Sequence, residues 1–570
     1  MQEPRWTEVD GVPVAWVDVA GPLRASLCFR VGMANETVPL RGVTHLVEHL
    51  ALHGMHDRRY PLNGTTDLTE TRFMSAGTPE ETVEFLGTVC DRLGDLPAER
   101  VEVERQVLRA EADARTRSYR DTLLVWRYGA AGPGLAGIDE YGLRWLDAAT
   151  VRWWAAQRFT RGNAILLLSG PPPAGLRLPL ADGPAHPPVV AEATEAVIPG
   201  WFPTDCRGVA MSGVRPRRPG GNVAMAVLES ELTRVLRFER GLTYSVGALS
   251  EALDATRSHV VYAADAHVDR HAELRDGFLE VVGRLADAGP DPAELERLID
   301  RGGRGDADDH LLGYLFGLGA DFAAGAPYES FELLDEAWRT MTPEGVTELV
   351  RAVADSALFM LPYDLGMPAD IPAVPVTSPT TVAGRTFRGL ARHEVLVVGD
   401  EGVSRVEHGH AVTVRWNETA ATLWWGDGTR VVVGRDAFQV VVKPAEWEDG
   451  HDAVAAIDAR APRHAAVPMG EGKPPPPPGS WPAPTRTDNR AAAWFGLACG
   501  FGVALLFLVI GLDGPQPATE YSEEVTREDA NLMIAVGAGG MALTLFLAWL
   551  KLRKRRRDRA SQAEWRSVPS

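Results

Sequence analysis

The hydrophobic pattern over the first third of the chain alternates between short and long segments. Short β-rich runs, such as residues 12–19, are followed by longer helical stretches at residues 79–96 and 99–119. A chain that mixes strands with longer helices usually packs its helices on a sheet. The pattern therefore predicts an α+β fold for this region.

A proline-rich stretch at residues 171–199 separates this region from a second one of the same character. Its composition disfavours both helices and strands, so we expect a linker there. Residues 201–367 again combine strand and helix patterns. The sequence therefore predicts a second α/β unit after the linker.

After residue 367 the pattern changes to short strands separated by Gly and Asp turns. The strands are predicted at residues 394–398, 411–416, 421–425, 430–433 and 438–442, and a helix follows at residues 449–461. Several antiparallel strands capped by one helix weakly resemble the pleckstrin-homology-like fold, which often serves as a docking module. A small β-barrel spacer is the alternative. The histidines of this region, which we expect to be solvated, are His393, His408 and His410.

The C-terminal part of the chain contains two long runs without a charged residue. Residues 491–512 and 531–550 are each long enough to cross a bilayer as a helix. A proline-rich tether precedes them at residues 463–490, an acidic loop joins them at residues 513–530, and a basic tail follows at residues 551–570. Because cationic flanks stay inside, we expect a transmembrane hairpin with both ends in the cytoplasm, rather than a pair of buried core helices.

The N-terminus and the overall composition limit the cellular location, the number of domains and the class of partner. No apolar core follows a basic region at the N-terminus, so we expect no signal peptide and a first domain in the cytoplasm. With the two predicted spans, we expect a multi-pass protein of the inner cell membrane. The chain has 570 residues and a net charge of −19, which indicates several domains and argues against nucleic acid as the main partner. Its four cysteines share no close spacing, so neither a disulfide framework nor a cysteine metal site is indicated.

The segment His-Leu-Val-Glu-His at residues 45–49 carries the candidate chemistry. On a helix, His45 and His49 project from the same face, where they can bind one metal ion, and Glu48 borders that face. The alternative is that both histidines lie on a solvated helix face. A second amphipathic helix, predicted at residues 97–115, can supply a carboxylate. Two histidines and a carboxylate suit zinc and leave a fourth position for water.

Two motifs resemble those of the pitrilysin, insulysin and mitochondrial processing peptidase family of zinc peptidases. They are the order His-x-x-Glu-His and the segment Glu-Arg-Gln-Val-Leu-Arg-Ala-Glu at residues 104–111. The resemblance implies one zinc ion (Zn²⁺) per chain, with these ligands: His45, His49 and Glu111. It implies that Glu48 is the general base and that Glu104 is a carboxylate supporting the ligands. For Glu104 the alternative is a solvated helix charge.

The resemblance extends to a segment shortly after the histidines. Residues 62–73, which begin Leu-Asn-Gly-Thr-Thr, are similar to the region where an Asn-Ala-x-Thr run forms an edge strand beside the substrate. This similarity implies that Asn63 contacts the substrate. Three features depart from the family: Gly64 stands where the family has Ala, Met55 stands where Thr is common, and the connection from His49 is shorter.

A segment of the second unit also resembles the family. Residues 237–244 have the form Arg-x-x-x-Gly-Leu-x-Tyr. The resemblance implies that Arg237 and Tyr244 face the zinc from a metal-free second half, where a guanidinium and a phenol can hold the scissile carbonyl and its developing oxyanion. The alternatives are a surface cation beside Glu239 and a half-buried core aromatic.

The resemblance implies two homologous peptidase-type halves, a zinc-bearing half at residues 1–185 and a metal-free half at residues 200–367. With a β-rich module at residues 386–462 and the C-terminal hairpin, we expect a membrane-anchored zinc metalloendopeptidase that hydrolyses peptides or unfolded segments on the cytoplasmic side. One alternative is a non-catalytic peptidase-like scaffold or partner subunit. Another is a membrane-linked signalling adaptor that acts through the β-rich module. The sequence does not distinguish a homodimer from an enzyme that requires a partner subunit. It does not predict the substrate.

Overall fold

The computed structural model describes residues 3–470 except five short segments. The omitted segments are residues 56–57, 115–117, 195–197, 304–306 and 392. The described residues lie in one compact unit. Both predicted membrane spans, the loop between them, the basic tail and most of the tether lie outside the described residues. Within the described part of the chain, no helix is long and apolar enough to cross a membrane.

The first half contains a six-stranded sheet with helices on its inner face. Its strands are β1 (Arg5–Val9), β2 (Val12–Trp16), β3 (Leu23–Phe29), β4 (Leu62–Thr66), β5 (Thr71–Gly77) and β6 (Ala164–Leu168), in the order β1-β2-β6-β3-β5-β4. Its helices are α1 (Val43–Leu52), α2 (Pro79–Gly94), α3 (Val101–Ala114), α4 (Tyr119–Tyr128) and α5 (Ala148–Arg158). Leu46 of α1, Phe85 of α2 and Trp154 of α5 share one buried core with the sheet. This arrangement leaves β4 at an edge, next to α1.

The second half has a five-stranded sheet and six helices. Its strands are β7 (Gly200–Thr204), β8 (Gly208–Pro216), β9 (Val246–Ala252), β10 (Arg257–Asp265) and β11 (Leu358–Pro362), in the order β7-β11-β8-β10-β9. Its helices are α6 (Gly221–Leu232), α7 (His271–Ala288), α8 (Pro292–Gly302), α9 (Ala307–Ala324), α10 (Phe331–Arg339) and α11 (Pro343–Asp355). A π-helical segment, Thr233–Glu239, continues α6.

Each half contributes one helix to the other half. Helix α9 places Leu315 against Leu167 on the outer face of the first sheet. Helix α4 places Leu123 on the second sheet, where the neighbouring Trp126 stacks on Phe202 with ring centroids 4.2 Å apart. The two halves are therefore interlocked rather than joined only by the linker.

The β-rich module forms two four-stranded sheets and a helix. Its elements are β12 (Arg385–Arg388), β13 (Glu394–Val398), β14 (Gly402–Glu407), β15 (His410–Arg415), β16 (Thr419–Trp425), β17 (Arg430–Gly434), β18 (Gln439–Val442), α12 (Gly450–Asp458) and β19 (Ala466–Gly470). The orders are β12-β13-β14-β15 and β18-β17-β16-β19. The five predicted strands and the helix are confirmed, whereas β12, β14 and β19 were not predicted. The prediction of a tether from residue 463 is wrong at its start, because β19 lies within that range and pairs with β16. His393, His408 and His410 are exposed, as expected.

Two predicted elements of the first half have different bounds. The helical stretch predicted at residues 99–119 is divided, because α3 ends at Ala114 and the Ser118 side chain caps a new helix by accepting a hydrogen bond from the Asp121 amide. The segment at residues 62–73 forms two paired strands, of which only β4 is an edge strand. The mixed α+β fold with several sheets is confirmed.

Candidate metal centre

Helix α1 begins at a turn whose backbone favours glycine. Gly42 has φ of 99°, in the left-handed region. The carboxylate of Glu36 accepts hydrogen bonds from the amides of Gly42 and Thr44 at 2.9 and 2.8 Å. A negative charge at this end of a helix is stabilising. Burial raises the pKa of Glu36, although the guanidinium of Arg41, 3.0 Å away, opposes that shift.

The two histidines of α1 lie on the face turned away from the sheet. Leu46 and Leu50 are fully buried in the core, whereas the side chains of His45 and His49 are 11% and 24% exposed. Their rings meet edge to face with centroids 5.0 Å apart. The histidines therefore do not lie on a solvated helix face, as the alternative interpretation supposed.

Glu111 of helix α3 completes a cluster with both histidines. Its Oε2 atom lies 4.0 Å from Nε2 of His45 and 3.8 Å from Nε2 of His49. Among the described residues, these three form the group of His, Cys, Asp or Glu side chains that could hold a metal ion, with ligand atoms within 4.8 Å of one another. The structure thus brings together all three ligands predicted from the sequence.

A further carboxylate lies near the Nδ1 atom of each histidine. Glu104 Oε2 lies 3.5 Å from Nδ1 of His49, and Glu140 Oε1 lies 3.2 Å from Nδ1 of His45. The Glu104 side chain is only 11% exposed, so it is not a solvated helix charge. Glu140 was not predicted, because it lies in an irregular segment outside both motifs. Burial disfavours protonation of His45, but the nearby carboxylates, Glu140 foremost, outweigh burial and raise the pKa of His45.

The donor set fits zinc. Ligand atoms about 2.0–2.2 Å from a tetrahedral zinc ion lie roughly 3.3–3.6 Å apart. The separations of 3.8 and 4.0 Å between the Nε2 atoms and Glu111 exceed this by only a few tenths of an ångström. Carboxylates on both Nδ1 atoms leave both Nε2 atoms facing the same point, which is the usual arrangement of metal-binding histidines.

Glu48 lies beside the ligands and contacts strand β4. Its Oε2 accepts a hydrogen bond from the hydroxyl of Thr66 at 2.9 Å. Burial raises the pKa of Glu48, and the two histidines partly oppose this shift. A Cβ atom on Gly64 would lie 2.5 Å from Oε1 of Glu48, so glycine leaves room for the carboxylate. Asn63 is exposed on the same edge strand.

Arg237 and Tyr244 lie together on the surface of the second half. The Arg237 guanidinium stacks over the rings of Tyr244 and Phe238, at 5.1 and 5.0 Å from their centroids. Tyr244 is 85% exposed, so it is not a core aromatic. Glu239 is bonded to Arg234. Among the hydrogen bonds, ion pairs and ring contacts of the described residues, none joins this pair to the histidines of its own chain.

One family of known sequences matches part of the second half. The family described as Peptidase M16 inactive domain matches residues 214–301. The matched segment contains Arg237 and Tyr244, and it lies outside the part of the chain that carries both histidines. No curated protein matches this chain significantly.

Solved structures share the fold at low sequence identity. The peptidase M16 inactive domain from Pseudomonas fluorescens is 15% identical, with a TM-score of 0.52, over 64% of this chain and 100% of that chain. A chain of complex III2 from Candida albicans, solved with Inz-5 bound, is 13% identical, with a TM-score of 0.51, over 62% of this chain and 94% of that chain. The periplasmic protease PqqL from Escherichia coli is 13% identical, with a TM-score of 0.50, over 71% of this chain and 56% of that chain. These likenesses show the fold, and with the family match they support the M16 peptidase family.

Proposed function

We propose that this chain is a membrane-anchored zinc metalloendopeptidase of the M16 type. The observation that carries the proposal is the convergence of His45, His49 and Glu111, with a carboxylate on the second nitrogen of each histidine. A site with three protein ligands leaves a position for a reacting molecule, which is typical of catalytic rather than structural zinc. The M16-like fold supports the same class of enzyme.

The protein groups around the site suit peptide hydrolysis. Zinc bound here would act as a Lewis acid and lower the pKa of water from 15.7 towards about 7. Glu48 takes the proton of the attacking water and passes it to the leaving amine. Thr66 holds one oxygen of Glu48, so the other oxygen is available for the water.

Substrate binding would involve both halves. An extended peptide can add to the edge strand β4, where Asn63 is exposed, because an edge strand offers unpaired backbone groups. Arg237 and Tyr244 would hold the substrate carbonyl. Their exposure makes them available to a substrate or to a second subunit, so a homodimer or a partner subunit would complete the cleft. The preferred substrates would be peptides or unfolded protein segments.

The location of the enzyme follows from the C-terminal sequence. Two uncharged apolar runs at residues 491–512 and 531–550, followed by a basic tail, favour a hairpin anchor with the peptidase region in the cytoplasm. In this proposal the protein is a multi-pass protein of the inner cell membrane, and the proline-rich tether separates the peptidase from the bilayer.

A second candidate function is a non-catalytic scaffold or partner subunit. Two observations favour it: the family match is to the domain type described as inactive, and one structure with the same fold is a chain of complex III2. The matched residues 214–301 belong to the half without the histidines. Because all the metal-binding side chains and Glu48 are present and close together, we favour the enzyme.

The test is chelator-dependent proteolysis by the purified full-length chain. We expect cleavage of a peptide library and of an unfolded protein, loss of cleavage after zinc is removed, and recovery when zinc is added back. The matched control is His49→Ala, which should neither cleave nor recover. Full-length protein that binds zinc at this site but cleaves nothing in the library would favour the scaffold.

A further inference from the structure

The carboxylate that contacts His45 comes from neither of the two motif helices. Glu140 lies in the irregular segment between α4 and α5, and its side chain is only 8% exposed. Its Oε1 lies 3.2 Å from Nδ1 of His45 and 3.5 Å from the Arg41 guanidinium. Glu140 therefore orients the first histidine in the way that Glu104 orients the second.

The segment that carries Glu140 lies directly against the start of α1. The amide of Gly142 donates to the carbonyl of Arg41 at 3.0 Å, and the indole of Trp145 donates to the carbonyl of Pro39 at 2.9 Å. A Cβ atom on Gly142 would lie 2.7 Å from that Arg41 carbonyl, so only glycine allows this approach. The position of Glu140 is thus set by close backbone contacts.

The other side of the same segment packs on the β-rich module. Leu135, Ile138 and Tyr141 share one buried core with residues of the module's second sheet, among them Val431 and Val433. The amide of Ala130 also donates to the carbonyl of Arg435 at 2.8 Å. Glu140 and Tyr141 are neighbours in the chain, and they contact the histidine site and the module respectively.

We propose that the β-rich module is part of the metal centre's support. Glu140 is a positioning residue that holds the His45 ring with Nε2 towards the metal, and the second sheet of the module holds the segment that carries Glu140. This inference rests on the proposed function, because it requires a metal at His45. It gives the module a role besides docking: the peptidase half needs the module to keep its zinc affinity.

The first test changes the positioning residue in the full-length protein. Glu140→Gln keeps an oxygen that can accept the His45 proton but removes the charge, and loss of such a partner typically lowers metal affinity by about 10–100-fold. We expect a loss of at least about tenfold in zinc affinity, measured by competition with a chromogenic chelator. Glu102→Gln, an exposed carboxylate on α3, is the control and should bind zinc like the parent.

The second test changes the module without touching the peptidase half. Val431 and Val433 face the peptidase half, whereas Val432 of the same strand and Val440 of the next face the module's own core with helix α12. All four are at most 1% exposed, so the two pairs are matched. We expect Val431→Ala with Val433→Ala to weaken zinc binding several-fold, and Val432→Ala with Val440→Ala to leave it within twofold. If a pair does not fold, the single variants Val431→Ala and Val432→Ala replace it.

The two tests are joined by a double-mutant cycle. If the module acts through Glu140, adding the Val431 and Val433 changes to Glu140→Gln should weaken zinc binding little further. Three results would each overturn this inference but leave the proposed function standing. They are additive effects in the cycle, equal losses of zinc affinity from both valine pairs, and parental zinc affinity in Glu140→Gln. Zinc binding that survives His45→Ala would instead overturn the proposed function and this inference with it.

Discussion

Thr66 donates its hydroxyl to Oε2 of Glu48 at 2.9 Å, and this bond joins edge strand β4 to helix α1 beside the histidines. The strand that we expect to bind substrate therefore also holds Glu48, the proposed general base. Gly64, two residues earlier on β4, lies so close to Glu48 that a Cβ atom there would be 2.5 Å from Oε1 and 2.8 Å from Cγ. In the proposed enzyme, substrate binding and the orientation of Glu48 would therefore be coupled through this one strand.

Gly64→Ala should lower turnover and leave zinc content unchanged. The three atoms that the added methyl group would meet most closely belong to Glu48 and Leu52 rather than to a ligand, and small displacements of a catalytic group can cost on the order of a hundredfold. The measurement is kcat for a peptide substrate together with the zinc content of the purified variant.

The matched control is Gly87→Ala in helix α2. A Cβ atom there has no neighbour within 4 Å, and alanine is the better helix former by about 1 kcal/mol. This variant should keep parental turnover and be slightly more stable. Parental turnover in Gly64→Ala would show that β4 does not control the position of Glu48.

Arg237→Ala and Tyr244→Phe should each reduce turnover while zinc stays bound. Removing one donor to a developing oxyanion typically costs on the order of a hundredfold in kcat. Both side chains are exposed, so the changes should not affect stability. Arg240→Ala, another exposed arginine of the same segment, is the control and should retain activity. If all three variants cleave at the parental rate, the second half does not take part in the chemistry.

Glu251 should make the junction between the halves sensitive to acid. Burial alone would raise its pKa, but hydrogen bonds from His259 at 3.0 Å and from Arg120 of α4 at 2.9 Å lower the pKa to about 2. A carboxylate with a lowered pKa stabilises the fold above its unfolded pKa of about 4.3, and this stability is lost as the pH falls towards the folded pKa. Arg120 also bonds Asp67, so the cluster spans both halves.

We therefore expect the free energy of urea unfolding to fall between pH 5 and pH 3 in the parent. The contribution of Glu251 is on the order of 2 kcal/mol, and Glu251→Gln should show a correspondingly weaker pH dependence over this range. Parallel curves for parent and variant would contradict the assignment.

Membrane topology can be tested with cysteine labelling. The native cysteine of the second half, Cys206, is buried and is therefore poorly suited to report which side of the membrane this half lies on. An exposed residue of the linker is needed instead. An impermeant thiol reagent should label Ser522→Cys in intact cells, and it should label Ala193→Cys only after lysis. Labelling of Ala193→Cys in intact cells would place the peptidase region on the outer side of the membrane.

Parts of the site were predictable because they depend on local periodicity. A helix places His45 and His49 on one face whatever surrounds it, and an amphipathic second helix limits which face Glu111 can occupy. The contacts made by Glu140 were not predictable. It lies in an irregular segment, and only the close approach of Gly142 to the start of α1 brings it to His45.

The fold was predictable to a similar degree. Strand and helix patterns indicated an α+β chain, but the apolar faces of α4 and α9 do not specify which sheet they cover. Only the structure shows that each packs on the sheet of the other half. Strand β12, with two arginines in four residues, lacks the apolar alternation by which strands are identified.

The most direct test of the central claim is zinc content measured alongside peptide hydrolysis in two variants of the full-length chain. Glu48→Gln should keep its zinc and lose nearly all hydrolysis, because an amide cannot accept the proton of water. Glu111→Gln should lose zinc, because a neutral amide replaces an anionic ligand. If Glu48→Gln loses its zinc while Glu111→Gln stays loaded and active, the metallopeptidase assignment is wrong.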